Sequence, residues 1–325
     1  MKVLLLGATG LLGHNVLHQL STAGHEVVAV VRRRHSLRIQ PPGLHLVEGD
    51  ITRRDTVVSA AEGCDAIVNC AGVTNMSLLH YEDYTSVNVD LCQTLISAMN
   101  THGIRCLVHA STANTIGYGS KEHPTDEQAP IKAPFDRSYY AESKLHGEQI
   151  LRDAAVRNPD WHIVIVNPGF MIGPMDVKPS SGRMLLAGYR KPLMFAPRGG
   201  KAFVDVRDVA TAMVNALTQG RHGARYIAVS SRGCLTIKEL YQLQASTMGY
   251  RQHVVTLPDW LLAAAGLVGD GLRAVGLRTE LSTRNVRQLM VREWYDNRSA
   301  RTELAMPESD IAHAISDFHN WRRQA

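Results

Sequence analysis

The sequence predicts an α/β chain: a doubly wound parallel sheet with a smaller, mainly helical C-terminal lobe. Three observations predict it. Short apolar runs of strand length at 3–6, 26–31, 44–47, 66–72, 105–110 and 161–166 alternate with helix-length segments. Such alternation needs right-handed crossovers, which put helices on both faces of a parallel sheet. The first run breaks into a glycine-x-x-glycine-x-x-glycine turn, Gly7, Gly10 and Gly13, before a helical pattern resumes at Leu11.

Each element has its local reason. Gly7 allows a tight turn after the first strand. Gly10 lets backbone approach a pyrophosphate, and Gly13 lets the helix pack close to the strand. The helix N-terminus then offers free N–H groups and a positive dipole end to phosphates. This helix, 11–23, stops at Gly24. A crossover helix fits 55–61, a long helix 84–102, and another runs from Ser138 towards Arg157. From Met175 to Pro197 Pro, Gly and Met dominate and the pattern weakens. A strand at 203–206, a helix at 207–218 and a strand at 225–229 return to the main sheet. Thr236 caps a helix through Met248, and helices at 259–275, 282–291 and 309–321 complete the lobe. The expected division is a dinucleotide-binding domain over 1–174, with 203–230 returning to it. Residues 175–202 and 231–325 form a substrate lobe.

Composition narrows the class. A chain of 325 residues with 45% hydrophobic and 20% charged residues can bury a sizeable core. The net charge of +5 is dispersed, with clusters at Arg32-Arg33-Arg34 and Arg322-Arg323, so no nucleic-acid stripe is expected. Five cysteines without CxxC spacing read as reduced thiols of a cytoplasmic protein. The chain enters its first strand at once, so no leader is expected. No apolar run reaches ~18 residues, so no transmembrane segment is expected. The nearest, 260–268, is broken by Gly269-Asp270-Gly271 and reads as a core helix, with a membrane-surface or partner-facing helix as the alternative. The scattered histidines lack ligand spacing, so no metal site is expected. Met171, Met175, Met184 and Met194 point to a flexible, apolar-leaning pocket.

Two features carry chemistry. In a dinucleotide fold the end of the second strand faces the adenosine ribose, where a carboxylate selects NAD and an arginine selects NADP. Here Arg32 and then Arg33 follow the strand, favouring NADP over NAD. On the helix after the fifth strand, Tyr140 and Lys144 are four apart and share a face. A phenol is a poor acid at neutral pH, with an ordinary pKa of about 10. A nearby ammonium stabilises its phenolate, so the tyrosine can relay a proton to or from a carbonyl oxygen while hydride moves to or from the same carbon. A hydroxyl from Ser111 or Thr112 would hold that oxygen.

The chain resembles the extended short-chain dehydrogenases/reductases, the superfamily of nucleotide-sugar epimerases and dehydratases, dihydroflavonol-reductase-like enzymes and 3β-hydroxysteroid dehydrogenases. The marks are Thr9-Gly10-Leu11-Leu12-Gly13, Gly49-Asp50-Ile51, Asn69-Cys70-Ala71-Gly72, Val87-Asn88-Val89, Ser111-Thr112, Tyr140 to Lys144, Asn167-Pro168-Gly169 and Tyr295-Asp296-Asn297 with Ala300-Arg301. The resemblance implies a Rossmann-type fold, with Tyr140 as acid/base, Lys144 on the ribose and lowering the tyrosine pKa, and Thr112 as the hydroxyl, with Ser111 the fallback. It excludes Tyr139, because Ser143 stands four residues on. It also implies cofactor contacts from Thr9, Leu11, Leu12, Asn88 and Ser111, from Asp50 and Ile51 at the adenine, from Ala71 and Gly72 along the backbone, and from Pro168 and Gly169 at the nicotinamide pocket. A homodimer through the helices near 84–102 and 140–157 is implied as well.

Within the superfamily the dihydroflavonol-reductase-like branch is favoured. Nucleotide-sugar enzymes often carry Arg-x-Tyr/Phe-x-His, with the arginine on the substrate diphosphate. Here the stretch is Lys201-Ala202-Phe203-Val204-Asp205. The expected activity is NAD(P)H-dependent reduction of a small carbonyl compound, or oxidation of the matching secondary alcohol. A nucleotide-sugar epimerase or dehydratase with bound NAD is the alternative, and a non-catalytic nicotinamide-binding protein the third reading.

Overall fold

Alternate side chains of a strand face opposite sides of its sheet, so an unbroken apolar run belongs in a sheet covered on both faces. A computed structural model describes residues 1–324 and shows this for the first run. In β1 (Lys2–Leu6), Val3 and Leu5 join one hydrophobic core and Leu4 and Leu6 another, all four fully buried. Then follow α1 (Leu11–Thr22), β2 (Glu26–Val31), β3 (Leu44–Glu48), α2 (Arg54–Ala60), β4 (Ala66–Asn69), α3 (Glu82–Asn88), α4 (Asp90–His102), β5 (Cys106–Ala110), α5 (Tyr139–Arg157) and β6 (His162–Pro168). The remainder gives β7 (Phe170–Ile172), α6 (Gly182–Gly188), β8 (Leu193–Ala196), β9 (Gly200–Asp205), α7 (Val206–Asn215), β10 (Arg225–Ala228), β11 (Cys234–Thr236), α8 (Ile237–Thr247), β12 (His253–Thr256), α9 (Asp259–Ala274), α10 (Thr283–Arg287), α11 (Arg298–Glu303) and α12 (Ile311–Gln324).

Seven strands make one sheet in the order β10–β6–β5–β4–β1–β2–β3, every pair parallel. The order reverses at β1 and β4. Connections leave those two strands in opposite directions, so a crevice opens at their carboxyl ends, and the Gly7 turn lies there. One face is covered by α1 and α7, whose Val16, Leu17, Leu20, Val209 and Met213 enter the first core. The other face is covered by α2, α4 and α5, through Val57, Leu91, Leu95 and Leu151. Fully burying one such side chain contributes about 1.5–3 kcal/mol.

A third core fills the C-terminal part. Phe203, Leu240, Tyr241, Ile315 and Phe318 pack α8 and α12 against the three-stranded sheet β11–β9–β7. Thus β10 joins the main sheet, whereas β9 joins the small one. Thr236 caps α8 in a full capping box with Glu239.

The strand expected at 203–206 is β9, and it lies in the small sheet instead of returning to the main one. Three further expectations need correction. The helix expected over 84–102 is two helices, parted at Val89. There α5 comes closest: a Cβ on Gly147 would overlap the Asn88 carbonyl. The helix expected over 282–291 is only Thr283–Arg287, and its chain continues without regular structure into a β-bridge between Trp294 and Gly119. The stretch 260–268 is no core helix. Of α9, only Gly266 and Gly269 are buried, and Trp260, Leu267 and Val268 are exposed. No described helix is long and apolar enough to cross a membrane.

Candidate active site

The phosphate cradle is built from three glycines with different tasks. Gly7 has a positive φ of 80°, and a Cβ there would run into the backbone of Cys70 and Ala71 across the crevice. A Cβ on Gly13 would overlap the Gly7 carbonyl, so only glycine lets α1 start this close to the turn. Gly10 is exposed, and a Cβ on it would meet only the Gly7 carbonyl, at 3.4 Å. Gly10 also N-caps α1 without a side-chain cap, and the first turn holds no acid. The free N–H groups and positive dipole end therefore face open space, as a bound pyrophosphate requires. The side chains of Leu11 and Leu12 are buried in the core, so these two residues offer backbone N–H groups; Thr9 is half-buried beside them.

Arg32 and Arg33 leave β2 exposed at the same sheet edge. Asp50 lies close enough to Arg32 to feel its charge. Its carboxylate is held by the Thr52 N–H and hydroxyl, each at 2.9 Å, and those hydrogen bonds, more than Arg32, keep its pKa below the usual carboxylate value. Ile51 packs on the second core.

At the other end of the crevice α5 presents its reactive face. Ser138 caps this helix, its hydroxyl accepting from the Ala141 N–H. The Tyr140 phenol lies beside the Thr112 hydroxyl, close enough for that hydroxyl to favour its phenolate. Burial pushes the phenol's pKa up, the Thr112 hydroxyl opposes this, and the carboxylate of Glu148 adds to the rise. The lowering expected from Lys144 is not found, and that ammonium is held by the Ala110 carbonyl. The chain thus brings Thr112 and Tyr140 together and takes Ser111 elsewhere. Ser111 donates to Glu148 Oε1, as do the Thr115 hydroxyl at 2.7 Å and Asn167 Nδ2 at 2.7 Å. Glu148 Oε2 faces Arg225 Nη1 at 3.5 Å, both side chains almost wholly buried. Glu148 was not among the expected site residues. Its signal was present, because it continues the four-residue spacing of Tyr140 and Lys144.

Lys144 is buried and donates to the Ala110 carbonyl at 2.7 Å. Desolvation lowers its pKa, opposed by the neighbouring Cys92, Glu148 and Cys70. Its ammonium opens towards Gly72, where a Cβ would lie 3.7 Å away. Behind it stands a chain of polar groups. Asn69 Oδ1 accepts from the Ala71 N–H at 3.0 Å, its Nδ2 meets His109 Nδ1 at 3.1 Å, and His109 Nε2 lies 3.5 Å from Lys144 Nζ. Burial first, and Lys144 second, hold His109 far below its ordinary pKa, so this imidazole is neutral. Asn88 is fully engaged with Val73 N–H and carbonyl and with Ser143 Oγ. It fixes the loop that follows β4 and Gly72.

Pro168 is buried at the end of β6, and a Cβ on Gly169 would overlap the Ala202 carbonyl. The next residue back on β9, Lys201, forms a buried ion pair with Glu293 and donates to the Gln288 carbonyl at 3.1 Å. Tyr139 points away from the reactive face, its ring under the Arg284 guanidinium at 3.6 Å.

Comparison with known proteins gives the family and the fold. The family model described as the NAD dependent epimerase/dehydratase family matches residues 3–228. The "Sterol demethylase protein B" of Methylococcus capsulatus is 28% identical, over 100% of this chain and 99% of its own. A Synechocystis protein with the provisional name dihydroflavonol 4-reductase is 28% identical, over 97% of this chain and 92% of its own. The crystal structure of gox2253 superposes with a TM-score of 0.82 at 25% identity, covering 99% of this chain and 98% of that one. With the parallel sheet, the glycine cradle at its reversal and the Tyr140–Lys144 face beside it, this chain belongs to the NAD-dependent epimerase/dehydratase family and is an NAD(P)-dependent enzyme of the extended short-chain dehydrogenase/reductase type.

Proposed function

We propose that the chain is an NADP(H)-dependent reductase of the dihydroflavonol-reductase-like branch, acting on an apolar carbonyl compound or oxidising the matching secondary alcohol. The observation that carries this reading is the Tyr140 phenol set beside the Thr112 hydroxyl, on the helix face that buried Lys144 shares. A phenol carries its proton at neutral pH. That is the form an acid catalyst needs for reduction. The Thr112 hydroxyl and the phenol together hold the carbonyl oxygen and polarise it. The Tyr140 proton passes to that oxygen as the carbon takes up hydride, and solvent then restores the phenol. NADPH, when bound, supplies the hydride. Gly7, Gly10, Gly13 and the α1 N-terminus would hold its pyrophosphate. Arg32 and Arg33 would hold the 2′-phosphate, Asp50 and Ile51 the adenine, Ala71 and Gly72 the cofactor backbone, Lys144 the ribose, and Pro168 and Gly169 the nicotinamide.

Nucleotide-sugar epimerases and dehydratases often place a cation for the substrate diphosphate at the position of Lys201. That lysine is buried and already neutralised by Glu293. This supports a substrate without a diphosphate, and the relative named as a reductase supports the branch. The test is Tyr140→Phe, assayed with NADPH against a panel of apolar ketones. Loss of proton transfer is expected to lower kcat by about 10²–10⁴-fold with NADPH binding retained. Unchanged turnover of a substrate reduced by the parent chain overturns the reading.

A further inference from the structure

Surface helices normally turn their large apolar side chains inward. The helix α9 does the reverse. Its inward seam is Gly266 and Gly269, which let it press on the backbone of Thr283 and Leu281. Its large residues point outward: Trp260 is 71% exposed, Leu267 68% and Val268 63%. Just beyond the helix, Val275 is 74% exposed. Eight of the twelve exposed large hydrophobic residues among those described lie between 260 and 281. The patch is therefore one segment, unlike the scattered apolar exposure of ordinary surfaces.

The charge at its border has one dominant sign. Residues 259–292 hold five arginines, at 273, 278, 284, 287 and 292, against three acids, Asp259, Asp270 and Glu280. Glu280 is paired with Arg183 at 2.7 Å, and Asp270 accepts from the Thr283 N–H at 3.1 Å. Arg278 and Arg287 are exposed. We propose that this face docks on the surface of an anionic phospholipid bilayer. The apolar side chains enter the headgroup boundary, and Arg278 and Arg287 meet lipid phosphates. At 16 residues α9 lies in the plane of the surface and does not span it. A second copy of the chain fits this face less well. A two-fold contact would lay the patch on itself and bring two basic borders together. The docking face also adjoins the cleft. Arg273 donates to the Ser77 and Thr279 carbonyls and Asn285 to that of Met76, tying α9 and α10 to the loop after β4, while Arg284 covers Tyr139. Docking would set the mouth of the site against the bilayer. The inference does not depend on the reductase reading, because its readout is binding.

The test is co-sedimentation of the full chain with vesicles of phosphatidylcholine alone and of phosphatidylcholine with phosphatidylglycerol, alongside sedimentation velocity without lipid. The parent chain is expected to bind the anionic vesicles more tightly. Trp260→Asp and Leu267→Asp are each expected to weaken binding about tenfold or more. Arg278→Glu with Arg287→Glu is expected to abolish the preference for anionic lipid. All four residues are exposed, so unchanged circular-dichroism melting separates lost docking from lost folding. The proposal is overturned if the parent chain ignores both vesicles, binds both equally, or keeps its affinity in the aspartate variants. It is equally overturned if the parent is a dimer without vesicle affinity that Trp260→Asp turns into a monomer.

Discussion

Replacing Arg32 with aspartate should reverse the cofactor preference, and the structure sets the size of the effect. Arg32 is exposed where β2 ends, and the nearby Asp50 carboxylate is committed to Thr52. The guanidinium is therefore available to a 2′-phosphate. A hydrogen bond to a charged group contributes about 1.5–3 kcal/mol. A carboxylate in its place repels the phosphate by about 1 kcal/mol at 4 Å in water, and it gains a bond of about 0.5–1.5 kcal/mol to the free 2′-hydroxyl of NADH. The sum is about 3–5 kcal/mol. Arg33 stays in place and compensates in part, so the ratio of NADPH to NADH affinity is expected to fall by about 10²–10³-fold. Competitive fluorescence titration of both cofactors against parent and variant measures it. A parent chain that prefers NADH, or a variant that keeps the parent's ratio, refutes the argument.

Two further outcomes follow from the buried charges. Glu148→Gln removes the anion that Ser111, Thr115, Asn167 and Arg225 share, and leaves Arg225 buried without its partner. A loss of about 3–5 kcal/mol is expected by calorimetry, and an unchanged melting temperature would show that the pair is dispensable. The pH dependence of kcat/KM carries the second. Burial raises the Tyr140 pKa above its ordinary value of about 10, so the protonated form that reduction needs persists through neutral pH. Reduction should hold level through about pH 10 and decline only above it, whereas alcohol oxidation, which needs the phenolate, should rise with pH. A reductive profile that breaks near neutrality contradicts a raised phenol.

The parts of the fold that repeat with a fixed period were legible in the sequence. The strand runs, the glycine turn and the Tyr140–Lys144 face all lie within a few residues of chain, where period and spacing speak directly. What was not legible depends on partners far along the chain. Ser111 and Thr112 are adjacent, and nothing local decides between their hydroxyls. The resemblance points to Thr112; the structure adds that Ser111 is turned to Glu148, 37 residues away, and Glu148 is in turn paired with Arg225, 77 residues further. The break at Val89 depends on the close approach of Gly147 from another helix. The helix α9 was misread because an apolar helix ordinarily belongs in a core. The paired Gly266 and Gly269, three apart on one face, were the sign that its smaller side faces inward.

The cations along the cleft also separate the two ends of the site. Lys201, which stands where nucleotide-sugar enzymes often place an arginine, is bound to Glu293, 92 residues away, and burial raises the pKa of that glutamate while Lys201 holds it down. Arg225 is bound to Glu148, and it also donates to the Glu127 carbonyl. Pairing of this kind leaves little field for an incoming diphosphate, because an opposite charge in contact cancels most of each cation's reach. At the adenine end, Arg32 and Arg33 remain exposed. Arg32 and Arg33 thus stay open where the proposed reading puts a cofactor phosphate, and beside Lys144 the same reading uses two hydroxyl groups, Thr112 and Tyr140, on an uncharged oxygen. Under the reductase reading proposed above, a substrate there is recognised by shape and apolar surface more than by charge.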